Sequence, residues 1–155
     1  MLMFLVYVKS DRYAIKTNNV LEVIPAVLLK KIPFSPHYIS GILNYGGLPI
    51  PVIDLCQLLQ KQDCSNCMHT RIILFKFNFS DKKSYHLGLR VEKLTETIDR
   101  EASDFIDPQI HVEQAPFLDG ISTDGHGTVT QMINDEKLFT ALKNNLYDEA
   151  MELQL

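Results

Sequence analysis

Long apolar runs are missing from this 155-residue chain. No stretch approaches the ~20 consecutive apolar residues that span a bilayer core, so direct membrane insertion is not expected. The start, MLMFLVYVK, is apolar but short, carries no basic segment ahead of it and runs into Asp11-Arg12 without a small-residue cleavage site. A strand in a cytoplasmic protein is the expected reading. Basic clusters are equally scarce: Lys30-Lys31 and Lys82-Lys83 are the only adjacent pairs, and the net charge is −4. Phosphate binding wants clustered Lys and Arg, so a nucleic-acid partner is not expected. Cysteine is limited to Cys56, Cys64 and Cys67, an odd number that argues against a disulfide framework.

Catalytic signatures are absent as well. The five histidines, His37, His69, His86, His111 and His126, sit in no recognisable motif. There is no GxSxG, no HExxH and no phosphate-cradling glycine loop followed by lysine. Asp124-Gly125-His126-Gly127 is rich in glycine, yet its residues are those of a hairpin turn. His111 and Glu113 read as a surface pair. No small-molecule substrate, no cofactor and no enzymatic activity are expected.

One cluster retains chemical interest. Cys64-x-x-Cys67 has a spacing at which two thiolates can hold one zinc, with His69 and Cys56 as further ligand candidates. A redox pair is a second reading, and incidental loop cysteines, the reading favoured by the missing flanking glycines, a third.

What the chain does contain is a series of short apolar segments in a composition that is 46% hydrophobic and 22% charged, ordinary for one globular domain or two small lobes sharing a core. Strands are expected at Phe4 to Val8, Tyr13 to Ile15, Arg71 to Phe79 and Tyr85 to Val91. Asn18-Asn19 is expected to cap a short helical turn through Val20, Leu21 and Val23, stopped by Pro25. Lys61 to His69 reads as a polar loop, and Thr95 to Ile110 as extended chain with turns. Glu92 to Glu113 holds seven acids against Lys93 and Arg100, a solvated or partner-facing surface.

The order of elements repeats. Gly41-Ile42, a turn at Gly46-Gly47, Ile50 to Ile53 and an Asp54-capped helical turn to Leu59 match Gly120-Ile121, a turn at Asp124 to Gly127, Val129 to Ile133 and a helix start at Asn134-Asp135. Two copies of a strand–turn–strand–helix unit, about 80 residues apart, imply two similar lobes, each a small barrel. Pro49 and Pro51 then belong at edge positions or where no partner needs the missing N–H. In the tail, Leu142, Leu146, Ala150 and Leu153 share one helical face.

Several of these segments, taken in order, resemble the CheW-like family: Phe4-Leu5-Val6, Val20 to Ile24, Ile32-Pro33, Gly41 to Asn44, Pro51 to Leu55, Gly88-Leu89-x-Val91-Glu92, Phe117 to Gly120 and Ile133 to Leu138. The resemblance implies a mainly β fold of two SH3-like five-strand barrels packed on a shared apolar core, with short helices. It assigns residues 1–142 to the domain and 143–155 to a C-terminal helix or tail. It also implies a non-enzymatic chemosensory adaptor, recruited to membrane-associated receptor arrays, that couples a chemoreceptor cytoplasmic tip to the regulatory domain of a CheA-type histidine kinase. Alternatives are an accessory member of a type IV pilus chemosensory pathway, or a small metal- or redox-sensing module built on the Cys-x-x-Cys loop. Carried over by position, Val20, Glu22, Val23 and Ile24 fall near partner contacts. Asn44, Tyr45, Gly46 and Gly47 occupy the loop whose family form is Asn-x-Arg-Gly, and Val52 and Asp54 follow it. Gly46 stands where the family has arginine, and Thr128, Thr130 and Gln131 stand where aliphatic residues are usual.

Overall fold

The computed structural model describes residues 1–153, with side chains through residue 144. Ten strands form two five-stranded sheets. The central lobe holds β3 (Val20–Pro25), β4 (Ile39–Tyr45), β5 (Leu48–Asp54), β6 (Arg71–Asn78) and β7 (Ser84–Val91) in the order β3-β6-β7-β5-β4. The terminal lobe holds β1 (Leu2–Val8), β2 (Asp11–Lys16), β8 (Lys93–Asp99), β9 (Leu118–Thr123) and β10 (Val129–Ile133) in the order β8-β1-β2-β10-β9. Helix α1 (Leu55–Gln60) follows β5, and α2 (Asp135–Leu153) follows β10.

The two sheets share one plan. Each has an antiparallel hairpin (β6–β7 or β1–β2) joined in parallel to the second strand of another hairpin (β5 or β10). Each also carries one flanking strand, β3 or β8, on the far side. The chain order is permuted between them, so that the central lobe is inserted between β2 and β8 of the terminal lobe. The repeated unit expected from the sequence is therefore β4–β5–α1 and β9–β10–α2.

In each lobe one backbone bridge joins the segment after the flanking strand to the opposite sheet edge. Lys30 exchanges both hydrogen bonds with Ile42 (3.0 and 2.8 Å), and Ile106 does so with Ile121 (both 2.8 Å). These closures explain the repeated glycine. A Cβ at Gly41 would lie 2.6 Å from the Lys30 carbonyl oxygen, and one at Gly120 would lie 3.1 Å from that of Ile106. Close approach of the closing segment leaves no room for a side chain.

Residue alternation on the strands divides the core into three. Ile73, Phe75 and Phe77 of β6 join Ile53, Leu89, Val6, Ile15 and Ile133 in a core shared by both lobes. The alternate residues Ile72 and Leu74 face a smaller core inside the central lobe with Leu43, Ile50 and Val52. Met3, Ala14 and Met132 form the counterpart inside the terminal lobe. Burial on both faces is why β6 reads as a near-continuous apolar run. An aromatic stack of Phe77, Phe79, Tyr85 and Phe139, with centroids 5.0–5.8 Å apart, seats α2 against β6 and β7.

Three local expectations change. Residues 20–25 form a strand, not a helical turn, because β6 offers an antiparallel partner along Arg71 to Phe75. Residues 93–99 are likewise a full strand, recruited by β1. His111 pairs with Asp107 (Nε2 to Oδ1, 3.2 Å), not with Glu113. Pro49 and Pro51 meet the second of their two expected placements: β5 is an inner strand, but they lie in the half that pairs with β4 alone, and β7 joins only from Val52 onward. Asp54 caps α1 as expected, accepting a hydrogen bond from the Gln57 N–H at 3.1 Å. Helix α2 starts at Asp135 and runs unbroken past residue 143; the side chains of Leu146, Ala150 and Leu153 lie outside the described residues.

Candidate functional site

Two surface regions gather the residues singled out in the sequence. The first joins β3 to the β4–β5 hairpin. Gly46 and Gly47 form its two-residue turn with φ of 59° and 94°, the left-handed geometry that suits the right-handed strand twist. The Asn44 side chain accepts a hydrogen bond from the Gly47 N–H at 2.8 Å and fixes the turn. Next to it the Tyr45 hydroxyl donates to the Glu22 carboxylate of β3. That bond raises the tyrosine pKa above its ordinary value, because ionisation would set a phenolate against a carboxylate. Glu22, Asn44, Gly46 and Gly47 are exposed, whereas Val20, Val23, Ile24 and Tyr45 are half-buried. The strap after β3 adds Leu28 and Phe34, which are 100% and 98% exposed.

The second region is an open cleft of about 630 Å³ between that strap, at Val27 and Leu28, and the loop after α1, at Asn66 and Cys67. Asp54 organises it from below. One carboxylate oxygen caps α1; the other accepts from the Cys64 N–H at 3.0 Å and faces the Arg90 guanidinium at 3.4 Å. Arg90 in turn donates to the Cys64 carbonyl at 3.0 Å and to the Asn66 side chain. The Thr70 hydroxyl pins the loop further, accepting from the Cys67 N–H at 2.9 Å and donating toward the Glu92 carbonyl at 2.8 Å.

Val52 is fully buried and Asp54 is 3% exposed. Both act within the molecule, Val52 in the central-lobe core and Asp54 in the cap and ion pair, so neither offers a face to a partner here. The cysteines also pair differently from the Cys-x-x-Cys spacing: Cys56 and Cys64 form a disulfide, and Cys67 is free and exposed. Among the described residues, the cluster that could hold a metal is Asp54, Cys56 and Cys64, with ligand atoms within 4.8 Å of one another; Cys67 and His69 are not part of it. Arg90 was not singled out in the sequence, although an arginine within the apolar strand Leu87 to Val91 is itself a signal of a buried partner.

A family model for the CheW-like domain matches residues 2–143. The chain belongs to the CheW-like domain family. It is 35% identical over 63 residues to Protein FrzA of Myxococcus xanthus, covering 41% of this chain and 39% of that one. It is 28% identical over 99 residues to Chemotaxis protein CheW of Helicobacter pylori, covering 64% of this chain and 56% of the relative. The matched regions thus span about two fifths and just over half of those relatives' lengths. Among solved structures, the scaffolding protein TtCheW from Thermoanaerobacter tengcongensis superposes with a TM-score of 0.72 at 25% identity, covering 85% of this chain and 82% of that one. The two five-strand sheets are those of the CheW-like fold, as the sequence resemblance implied. Among the described residues, no helix is long and apolar enough to cross a membrane.

Proposed function

We propose that this chain is a non-enzymatic scaffold adaptor of a chemosensory pathway, linking a chemoreceptor tip to the regulatory domain of a CheA-type histidine kinase at cytoplasmic receptor arrays. The observation that carries this reading is the CheW-like match over residues 2–143, with a fold superposable on a scaffolding protein. The contact surface assigned to it is the edge strand β3 with the β4–β5 hairpin: Glu22 and the half-buried Val20, Val23 and Ile24, joined to Asn44, Tyr45, Gly46 and Gly47. A polar pair set within partly exposed apolar residues has the make-up of an interface.

The test is direct titration against the kinase regulatory domain and, separately, a receptor cytoplasmic fragment. Saturable binding that Glu22→Arg weakens at least tenfold supports the adaptor and its surface. Absence of binding to every kinase and receptor fragment of the same organism overturns it. Gly46→Arg probes the missing family arginine. A guanidinium at that turn adds about 1–3 kcal/mol of affinity if the hairpin faces the kinase, as a charged hydrogen bond does.

A further inference from the structure

We propose that reduction of the Cys56–Cys64 bond opens a site for one zinc ion, held by Cys56 Sγ, Cys64 Sγ and the Asp54 carboxylate, with Glu92 alongside. The site is independent of the adaptor reading. It is reached through the cleft between the strap and the loop after α1.

The ligands are already gathered. Those of Asp54, Cys56 and Cys64 lie within 4.8 Å of one another. Asp54 ends β5, Cys56 sits in the first turn of α1, and Cys64 is folded back by hydrogen bonds at its own N–H and carbonyl. All three are buried, as is Glu92, whose Oε2 lies 3.5 Å from Cys56 Sγ and stands nearest for a fourth position. Two thiolates on a tetrahedral zinc, each about 2.3 Å from it, stand roughly 3.8 Å apart. Side-chain rotation reaches that spacing from a Cα separation of 5.1 Å. Thiolate with carboxylate is a zinc donor set, whereas Mg2+ and Ca2+ take oxygen alone.

Charge favours a dication. Asp54 faces Arg90 at 3.4 Å, and Glu92 faces Lys9 at 3.6 Å. Each carboxylate is therefore balanced while the sulfurs are bonded to each other. Two thiolates add two negative charges to a buried spot, which is costly without a counter-ion. One divalent cation cancels both.

Arg90 does not occupy the place of the metal. A carboxylate has about four acceptor sites. Among the described residues, Asp54 uses three, on the Gln57 N–H, the Cys64 N–H and Arg90. The remaining one is open to a metal, and the three donors act as the outer-shell partners that orient a ligand. Entry is provided for as well, because Asp54 and Cys64 both line the open cleft of about 630 Å³.

A dithiol supplies the electrons. Its thiolate attacks Cys64 Sγ from the cleft, the Cys64–Cys56 bond breaks, and Cys56 leaves with the electron pair and takes up a proton. The second thiol displaces Cys64, which is protonated in turn, and closes the reductant's own disulfide. Zinc binding then expels the two thiol protons.

The test uses the full chain, either as oxidised in air or reduced with a phosphine, desalted without oxygen, incubated with Zn2+ and desalted again. One zinc per chain is expected on the reduced protein and none on the oxidised one. Cys67→Ser is expected to retain it. Cys56→Ser and Cys64→Ser are each expected to weaken binding by about tenfold or more, at least what loss of an outer-shell partner costs. Two measurements on the wild type guard against a folding effect of these substitutions. Zinc is expected to slow alkylation of Cys56 and Cys64 but not of Cys67, and Co2+ is expected to give a thiolate-to-metal charge-transfer band. Reduced protein that holds no zinc, equal zinc on the oxidised chain, loss of zinc with Cys67→Ser, or alkylation of Cys56 and Cys64 unchanged by zinc would each overturn the site.

Discussion

The Tyr45 hydroxyl donates to the Glu22 carboxylate between β4 and β3, the two outermost strands of the same five-stranded sheet. The bond complements the Lys30–Ile42 backbone bridge, and together they make the sheet's two edges neighbours. Glu22→Gln is expected to bring the Tyr45 pKa down toward the ordinary tyrosine value, since both the charge and its strongest acceptor are lost. Titration of the ring signals by NMR measures it. A Tyr45 pKa unmoved by the substitution would mean that the pair does not form in solution.

The two closing glycines give a graded pair. At Gly41 an added methyl meets backbone at 2.6 Å and the φ of 150° lies in a region that L residues avoid. Gly120 has its nearest atoms at 3.1 Å and no such strain. Gly41→Ala is expected to cost about 2–3 kcal/mol and Gly120→Ala about 1 kcal/mol, by overpacking and backbone strain. Chemical denaturation of both variants checks the order.

Phe139 bridges α2 to the aromatic stack on β6 and β7. Truncation to alanine removes most of a buried ring and is expected to cost about 3–4 kcal/mol. Phe139→Leu, which keeps apolar volume, is expected to cost less than half as much. Equal losses would show that the ring's stacking, and not its volume, holds the helix.

Asp135, at the start of α2, carries the pH prediction. Burial raises its pKa above the usual carboxylate value, against the opposing hydrogen bond from Asn19 Nδ2 at 3.1 Å. A carboxyl whose folded pKa exceeds its unfolded value favours the fold when protonated. That contribution is complete below the unfolded value near about 3.9 and is lost as pH rises through the folded one. Asp135→Asn keeps an oxygen for Asn19 and no longer titrates. Its Tm is expected to fall less than that of the wild type as pH rises from about 4 to about 6. Parallel Tm curves would assign the slope to other groups.

Much of this architecture was readable in the residues. The Gly-Ile repeat, the Asp54 cap and the double run of β6 each have a local cause, respectively a close backbone approach, an orphan N–H and burial on two faces. Residues 20–25 misled because Asn18-Asn19 is a good cap and Val-Leu-x-Val suits a helical turn as well as a strand. Only the presence of β6 alongside decides between them. The Cys56–Cys64 pairing was hidden for the same reason. It depends on Asp54 and Arg90 folding the loop back onto α1, and no spacing rule contains that. In the site, Glu22 and Tyr45 were reached by position from the family resemblance, while the pairing of Asp54 depends on Arg90, 36 positions away.

The insertion of the central lobe between β2 and β8 sets an order of events during synthesis. The N-terminal hairpin leaves the ribosome first, yet its parallel neighbour β10 pairs Arg12 to Ile15 with Thr130 to Ile133, near the other end of the chain. The central lobe, contiguous from Val20 to Val91, has all its strands available long before that. The first strands made are the last to find a complete sheet, and until then the open side of β2 is an unpaired edge that needs protection from other chains.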